Sequence, residues 1–154
     1  MTFTYCPFDI TDPQHARNVQ ELQQLSYPIE AQLIGLETLP PLLDTVETLM
    51  GCGEQFIGCF EGDRLIGAVA YKMDGGTIDI HRMMVHPERF RKGIANTLLT
   101  AALSVPGVNK AVVSTGSANL PAVTLYERHG FKEKERVEVA PGVTITLFEK
   151  PMVL

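Results

Sequence analysis

The sequence of 154 residues has few cysteines and no long hydrophobic run. Its three cysteines, Cys6, Cys52 and Cys59, form neither a Cys-x-x-Cys pair nor a Cys/His pattern. We therefore expect reduced thiols rather than a disulfide scaffold or a zinc site. No stretch approaches the roughly 18 uncharged apolar residues of a membrane-spanning helix, and the first residues do not resemble a signal peptide. These absences predict a cytoplasmic protein that does not bind membranes.

Positive charge is scarce in the first part of the chain. Residues 1–60 contain eight acidic residues and one basic residue, whereas residues 61–154 have a small positive excess within a total charge of −5. Nonspecific binding to nucleic acid needs clustered positive charge. A nucleic-acid-binding domain that uses Arg89, Arg91 and Lys92 is therefore disfavoured, and we expect any bound anion to lie in the later part of the chain.

Apolar spacing and turn residues predict one domain, residues 1–154, with ten elements. Apolar residues at three- and four-residue steps predict helices over 12–26, 42–50, 94–103 and 121–128. Period-two or short apolar runs between turn residues predict strands over 55–60, 65–71, 77–85, 110–114, 131–139 and 143–149. Residues 29–39 fit neither pattern clearly. The order α-α-β-β-β-α-β-α-β-β predicts an α/β fold, a mixed sheet with helices on both faces.

A strand that runs through a basic, glycine-containing loop into a helix is the most informative feature. The segment is Met83 to Asn96. Such a loop presents free backbone N–H groups at the positive end of a helix, as a phosphate or pyrophosphate requires. Gly93 allows close approach of the backbone, and Arg91 and Lys92 add positive charge. The alternative is a solvated basic turn that only begins a helix; P-loop and dinucleotide-binding motifs are absent.

With a second motif downstream, this segment resembles the GCN5-related N-acetyltransferase (GNAT) superfamily. The family's strand end matches Val85-His86-Pro87, and its pyrophosphate loop, Arg/Gln-x-x-Gly-x-Gly/Ala, falls on residues 90–95. The later Asn, Tyr and Gly-Phe of the family match Asn119, Tyr126 and residues 130–131. One position departs from the pattern, because Phe90 stands where Arg or Gln is usual. A side-chain contact to the cofactor is thus lost there or supplied by Arg89 or Arg91.

The resemblance implies transfer of an acetyl group from acetyl-CoA to a primary amine, of a small molecule or a protein, in a ternary complex. It also implies that strands 77–85 and 110–114 are parallel neighbours that splay apart near Val85. The alternative is an acyl-CoA sensor domain without turnover. No metal is expected, and a homodimer through the C-terminal hairpin is possible. The residues expected to bind acetyl-CoA are Met83, Val85, Arg91, Lys92, Gly93, Ile94, Ala95, Asn96, Asn119 and Tyr126.

The resemblance also implies roles in catalysis. Backbone N–H groups of Met84 and Val85 would hold the thioester carbonyl and the oxyanion. Tyr126 matches the family's general acid, although a tyrosine packed in the core is the alternative. The acceptor amine must lose a proton, and the candidate bases are Asp79, His81 and His86, with Glu30 or Glu37 behind them.

The uneven charge makes a prediction about the acceptor. The basic part contains the expected acetyl-CoA site, so the acidic part would contribute to the acceptor side. We therefore expect a cationic, amine-bearing acceptor that is drawn towards Glu30, Glu37 or Asp44.

Overall fold

The computed structural model describes residues 2–36 and 40–152. Its strands are β1 Thr4–Phe8, β2 Gln55–Glu61, β3 Arg64–Asp74, β4 Thr77–Val85, β5 Lys110–Gly116, β6 Lys132–Ala140 and β7 Val143–Pro151. Its α-helices are α1 Pro13–Ile34, α2 Val46–Met50, α3 Ile94–Leu103 and α4 Leu120–Arg128. Single 3₁₀ turns cover Pro40–Leu43 and Pro87–Arg89. Glu37, a predicted acceptor-side residue, lies outside the described residues.

The strands form one mixed sheet in the order β1-β2-β3-β4-β5-β7-β6. The pair β4–β5 is parallel and the other neighbouring pairs are antiparallel. Apolar side chains of α1 and α2, including Val19, Leu22 and Leu49, pack on one face of the sheet. Those of α3 and α4, including Leu98 and Tyr126, pack on the other. The predicted mixed sheet with helices on both faces is confirmed.

The first strand, β1, was absent from the predicted order. It pairs with β2 from Thr4 opposite Phe60 to Phe8 opposite Phe56. Pro7 within it argues against a central strand, because proline has no N–H to donate to a ladder. An edge strand tolerates proline, and β1 is the edge of this sheet. The order of elements therefore begins with a strand and not with a helix.

Helix α1 continues past the Tyr27-Pro28 pair at which the sequence predicted its end. Its buried residues include Tyr27, Ala31 and Ile34, which keep helical spacing beyond the proline. Gly35, at a φ of 79°, then ends the helix, and the N–H of Leu36 bonds to the carbonyl of Ala31. Burial of this last part offsets the hydrogen bond that Pro28 removes. Part of the segment that fitted neither pattern is thus helical.

The predicted helix over 42–50 is shorter in the structure. A 3₁₀ turn covers Pro40–Leu43, and α2 begins only at Val46. Thr45 caps the helix by accepting the N–H of Thr48 at 3.1 Å. Asp44 and Thr45 therefore interrupt what the apolar spacing presented as one helix.

Within residues 2–36 and 40–152, no helix is long and apolar enough to cross a membrane.

Candidate active site

The two parallel strands separate in the middle of the sheet. Pairing between β4 and β5 runs from Thr77 opposite Lys110 to Ile80 opposite Val113 and goes no further. Beyond this point the strands border a cleft of about 1430 Å³, which Met83, Val85 and Thr115 help to line. The predicted splay is confirmed, and it leaves backbone groups of both strands without a ladder partner.

The register of β4 decides which N–H groups face this gap. His86 donates its N–H to the carbonyl of Ile66, so its N–H points towards β3. Since alternate residues of a strand direct their N–H groups to opposite sides, the N–H of Met84 also points towards β3. Those of Met83 and Val85 point into the gap. The predicted role of the Met84 N–H is therefore corrected, because this group belongs to the β3–β4 ladder.

The loop before α3 presents a series of free N–H groups. Helix α3 begins without a side-chain cap, and its first backbone hydrogen bond runs from the N–H of Thr97 to the carbonyl of Gly93. In the described part of the chain, the N–H groups of residues 91–96 donate no hydrogen bond. Arg91 and Gly93 have φ values of 63° and 76°, which turn the backbone into this arrangement. A helix N-terminus of this kind binds anions.

The side chains of the loop differ in their acidic partners and in whether they line the cleft. Arg89 donates to Glu61 at 2.7 Å, so this guanidinium already has an acidic partner. Arg91 lines the cleft, whereas Lys92 does not. Phe90 also lines the cleft and is 43% exposed. Both arginines expected to replace the missing side-chain contact line the cleft. Within the described residues only Arg89 has an acidic partner, so the Arg91 side chain can still contact a cofactor.

Tyr126 lies on α4 and is buried, with its ring at the wall of the cleft. The ring packs against Phe131 and Phe148, with centroids 5.6 and 6.1 Å away. Its hydroxyl forms no hydrogen bond within the described residues. Burial, together with the nearby Glu30 carboxylate, raises the pKa of Tyr126 above its ordinary value. The phenol is therefore protonated at neutral pH and can donate a proton or a hydrogen bond.

Glu30 faces the same cleft from α1. Its Oε1 accepts a hydrogen bond from Nδ2 of Asn119 at 3.2 Å, while Oδ1 of Asn119 caps α4 by accepting the N–H of Ala122. Burial raises the pKa of Glu30, although the Asn119 and Thr115 side chains oppose this effect. The structure thus places Glu30, Asn119 and Tyr126 together, and it gives Asn119 both a capping role and a place in the site.

Tyr27 is a site residue that the sequence did not reveal. It is buried on α1, one helical turn before Glu30, and it lines the cleft. Burial is the main cause that raises the pKa of Tyr27; Glu30 adds to it, and the backbone N–H of Met83 opposes it. The hydroxyl therefore lies beside the gap in the sheet. The proline after Tyr27 hid the helical turn that connects it with Glu30.

Arg82 is the second residue that the sequence did not reveal. Its guanidinium donates to both oxygens of Glu54 at 2.8 and 3.1 Å and to Oε1 of Gln23 at 2.8 Å, and it pairs with Asp44. The Glu54 and Asp44 carboxylates hold the pKa of Arg82 above its ordinary value even though burial opposes them. An arginine directly before the apolar strand end Met83–Val85 is the signal in the sequence that could have pointed to this network.

The predicted bases lie at different places. His81 lines the cleft and lies 3.4 Å from Asp79 and 3.8 Å from Glu54. It is the extra residue of a bulge, because Arg82 pairs with Ala70 while Ile80 pairs with Tyr71. Asp79 and His86 lie outside the cleft lining. In the two described ranges, no group of three or more His, Cys, Asp or Glu side chains is placed to hold a metal ion.

The fold is that of solved N-acetyltransferase structures. The ribosomal-protein-S18-alanine N-acetyltransferase from Escherichia coli superposes with a TM-score of 0.79 at 13% identity, over 99% of this chain and 96% of that one. The PaiA N-acetyltransferase from Thermoplasma acidophilum, solved in complex with coenzyme A, gives 0.75 at 18% identity, over 99% and 100%. These likenesses establish the fold.

The sequence matches the acetyltransferase (GNAT) domain model over residues 52–133. The chain belongs to the GNAT acetyltransferase family, which confirms the family predicted from the two motifs. It is also 34% identical to the UPF0157 protein YqkA of Bacillus subtilis (strain 168). The alignment has 134 residues and covers 86% of this chain. The chain spans 39% of the length of that relative.

Proposed function

We propose that this protein transfers the acetyl group of acetyl-CoA to a primary amine by direct attack in a ternary complex. The observation that carries the proposal is the cleft itself. It brings free N–H groups, a protonated tyrosine and a carboxylate with a raised pKa to the point where β4 and β5 separate. A binder without turnover would need the N–H groups but neither the acid nor the base.

Acetyl-CoA would bind along the separated strand and the loop that follows it. The free N–H groups of residues 91–96 and the Arg91 side chain suit the pyrophosphate. The gap-facing backbone groups of Met83 and Val85 suit the amides of the pantetheine arm. The Thermoplasma enzyme, whose structure contains coenzyme A, shares this fold, which supports the assignment. Lys92 adds positive charge near the loop without lining the cleft.

The N–H of Val85 is placed for the thioester carbonyl, because it points into the gap. Attack of the amine nitrogen on this carbonyl carbon forms the C–N bond and moves negative charge onto the oxygen. A preorganised donor at that oxygen is worth about 3–4 kcal/mol in transition-state stabilisation. Collapse of the intermediate breaks the C–S bond, and the phenol of Tyr126 protonates the departing thiolate.

Glu30 is the carboxylate that fits the role of general base. An amine arrives as an ammonium ion and must lose one proton before attack and a second after it. Burial raises the pKa of Glu30, which brings the carboxylate closer to the pKa that proton transfer at neutral pH favours. His81 at the bulge of β4 is the second candidate, because it also lines the cleft and is 33% exposed through its side chain. Asp79 would then orient His81.

Substitution of Tyr126 by phenylalanine tests the enzyme against the sensor. We expect Tyr126→Phe to lower kcat about 100-fold and to leave coenzyme A binding unchanged, because the ring packing against Phe131 and Phe148 is retained. Release of the thiol over a panel of primary amines measures kcat, and calorimetry measures binding. Turnover that Tyr126→Phe leaves unaltered would contradict the assigned acid, and binding of acetyl-CoA without turnover of any amine would favour the sensor.

A homodimer and a cytoplasmic location stay predictions. Strand β6 of the C-terminal hairpin is an edge of the sheet, and an edge strand offers unpaired backbone groups to a second chain. Its side chains from Lys132 to Glu138 are exposed, and most of them are charged, which opposes such pairing. Light scattering of the purified protein measures the oligomeric state directly.

A further inference from the structure

The charges of the cleft and its apolar wall together specify the kind of amine that it accepts. We infer that the acceptor is a primary monoamine whose nitrogen carries an apolar body, and this inference rests on the function proposed above. The apolar body would occupy the end of the cleft between α1 and the β6–β7 hairpin. We call this end the acceptor pocket; its apolar residues are Ile29, Leu33, Leu36, Val139, Ala140 and Ile145.

Among the described residues, most carboxylates of the cleft already have a basic partner. Three carboxylates line the cleft in the described residues, Glu30, Asp44 and Glu54. Both oxygens of Glu54 accept hydrogen bonds from Arg82. Asp44 pairs with Arg82 through Oδ2, while its Oδ1 accepts from the Thr48 hydroxyl at 3.1 Å. These two carboxylates are therefore already engaged within the protein.

Glu30 is the remaining lining carboxylate. Its partner is the neutral amide of Asn119, and no basic side chain of the described residues forms an ion pair with it. A single ammonium group beside Glu30 would supply the missing positive charge. Among the described residues, the pocket thus offers one carboxylate without a basic partner, Glu30 beside Tyr126, and not the several that a polyamine or an aminoglycoside would need.

The wall beyond Glu30 is apolar. Ile29 and Leu33 are 37% and 46% exposed, and Val139 from the opposite side is 51% exposed. Exposed large apolar side chains around a concave site indicate a ligand that covers them. A second ammonium or a row of hydroxyl groups would lose its hydration against this wall without gaining a partner. An alkyl or aromatic body gains free energy there instead.

A homologous series of amines tests the inference. We expect kcat/KM to rise roughly three- to fourfold for each methylene between 1-aminopropane and 1-aminohexane, the factor that burial of a methylene gives. We expect 1,6-diaminohexane, which has the length of 1-aminohexane and one additional charge, to fall below it at least about tenfold. A flat series, or a preference for the diamine, would overturn the inference.

Two leucines of α1 provide a matched pair of variants. Leu33 and Leu25 are 46% and 47% exposed, but only Leu33 lines the cleft. We expect Leu33→Asn to lower kcat/KM about tenfold more for 1-aminohexane than for 1-aminopropane, and Leu25→Asn to change neither. Val139→Asn tests the opposite wall should Leu33→Asn fail to fold. Equal effects of Leu33→Asn and Leu25→Asn would contradict the assigned wall.

The proposed function and this inference fail in different ways. If the protein binds acetyl-CoA but turns over no amine, the proposed function is wrong. The two six-carbon amines are then compared by calorimetry on the protein saturated with coenzyme A. Tighter binding of 1-aminohexane than of 1,6-diaminohexane supports the apolar monoamine pocket. Equal or weaker binding of 1-aminohexane, or no binding of either amine, overturns it.

Discussion

The environment of a single carboxylate, Glu30, connects the proposed catalysis with the stability of the fold. It lies between Tyr27 and Tyr126, and its charge adds to the raised pKa of each. Burial in turn raises the pKa of Glu30 itself. In the proposed site, the acid Tyr126 stays protonated and the base Glu30 has no basic partner in the described residues. Such an arrangement lowers the stability of the folded state in exchange for activity.

We expect Glu30→Gln to lower kcat/KM about 100-fold and to raise Tm at neutral pH. The pKa of Glu30 is raised on folding from its ordinary value of 4.5. As pH rises through the window above 4.5, the unfolded chain therefore loses this proton first, and the folded state is destabilised. Below that window both states hold the proton, so the wild-type protein and the variant should have similar Tm values.

Thermal unfolding at several pH values measures this difference, and kcat/KM measured over the same range reports the proton acceptor. Glu21→Gln is the control, because Glu21 is exposed on the same helix. A Glu30→Gln variant that keeps its activity would assign the proton to His81. A Tm below that of the wild-type protein at neutral pH would contradict the conclusion that partial burial raises the pKa of Glu30.

At the scale of elements, the site depends on how closely α1 approaches β5. A Cβ on Gly116, the last residue of β5, would collide with the side chain of Ile34 at the end of α1. Glycine at this position thus allows the end of α1 to reach the separated strands. The same approach brings Glu30 within 3.2 Å of Asn119. The glycine gives no periodic signal in the sequence, and its role follows from the packing.

We expect Gly116→Ala to destabilise the fold by about 1–3 kcal/mol, the usual cost of overpacking, and to lower kcat by moving Glu30. Gly51→Ala is the control, since a Cβ there meets its nearest atom at 3.6 Å. Urea unfolding measures the free energies. In the double variant, Ile34→Ala should make Gly116→Ala less costly. Additive effects of the two substitutions would contradict the collision.

At the scale of the whole molecule, a buried ionic network connects three positions in the acidic part of the chain with the sheet. Arg82 of β4 binds Gln23 of α1, Asp44 before α2 and Glu54 before β2. Gln23 also donates to the carbonyl of Pro41 at 2.9 Å. The network holds Pro41 and Asp44, which line one side of the cleft, against α1. Loss of the network should therefore affect both stability and acceptor binding.

We expect Arg82→Met to reduce the free energy of unfolding by about 3–5 kcal/mol, because two buried carboxylates lose their counter-ion. Arg136→Met is the control, because the Arg136–Glu133 pair, at 2.9 Å, is close in length to the Arg82–Glu54 pair, at 2.8 Å, but lies on the surface. Its loss should cost less than about 1 kcal/mol. Urea unfolding of both variants measures the difference, and equal costs would mean that the buried network contributes nothing beyond a surface pair.

Local patterns in the sequence were sufficient for the family, the loop before α3 and the position of Tyr126. These features depend on residues that are close along the chain, such as the strand, loop and helix from 77 to 103. The glycine, the basic residues and the helical spacing act within a few residues of each other. The order of these residues along the chain was therefore enough to indicate the part of the cleft that we assign to acetyl-CoA.

The acceptor side depended on contacts between residues that are far apart in the sequence. Glu30 meets Asn119 across 89 positions, and Arg82 meets Gln23 across 59. Such pairs have no periodic signature, so the sequence could count the acidic residues but could not show which of them a guanidinium engages. Folding pairs Asp44 and Glu54 with Arg82 and gives Glu30 the neutral amide of Asn119 as a hydrogen-bond partner in the described residues, because only packing brings these groups within a few ångströms of each other.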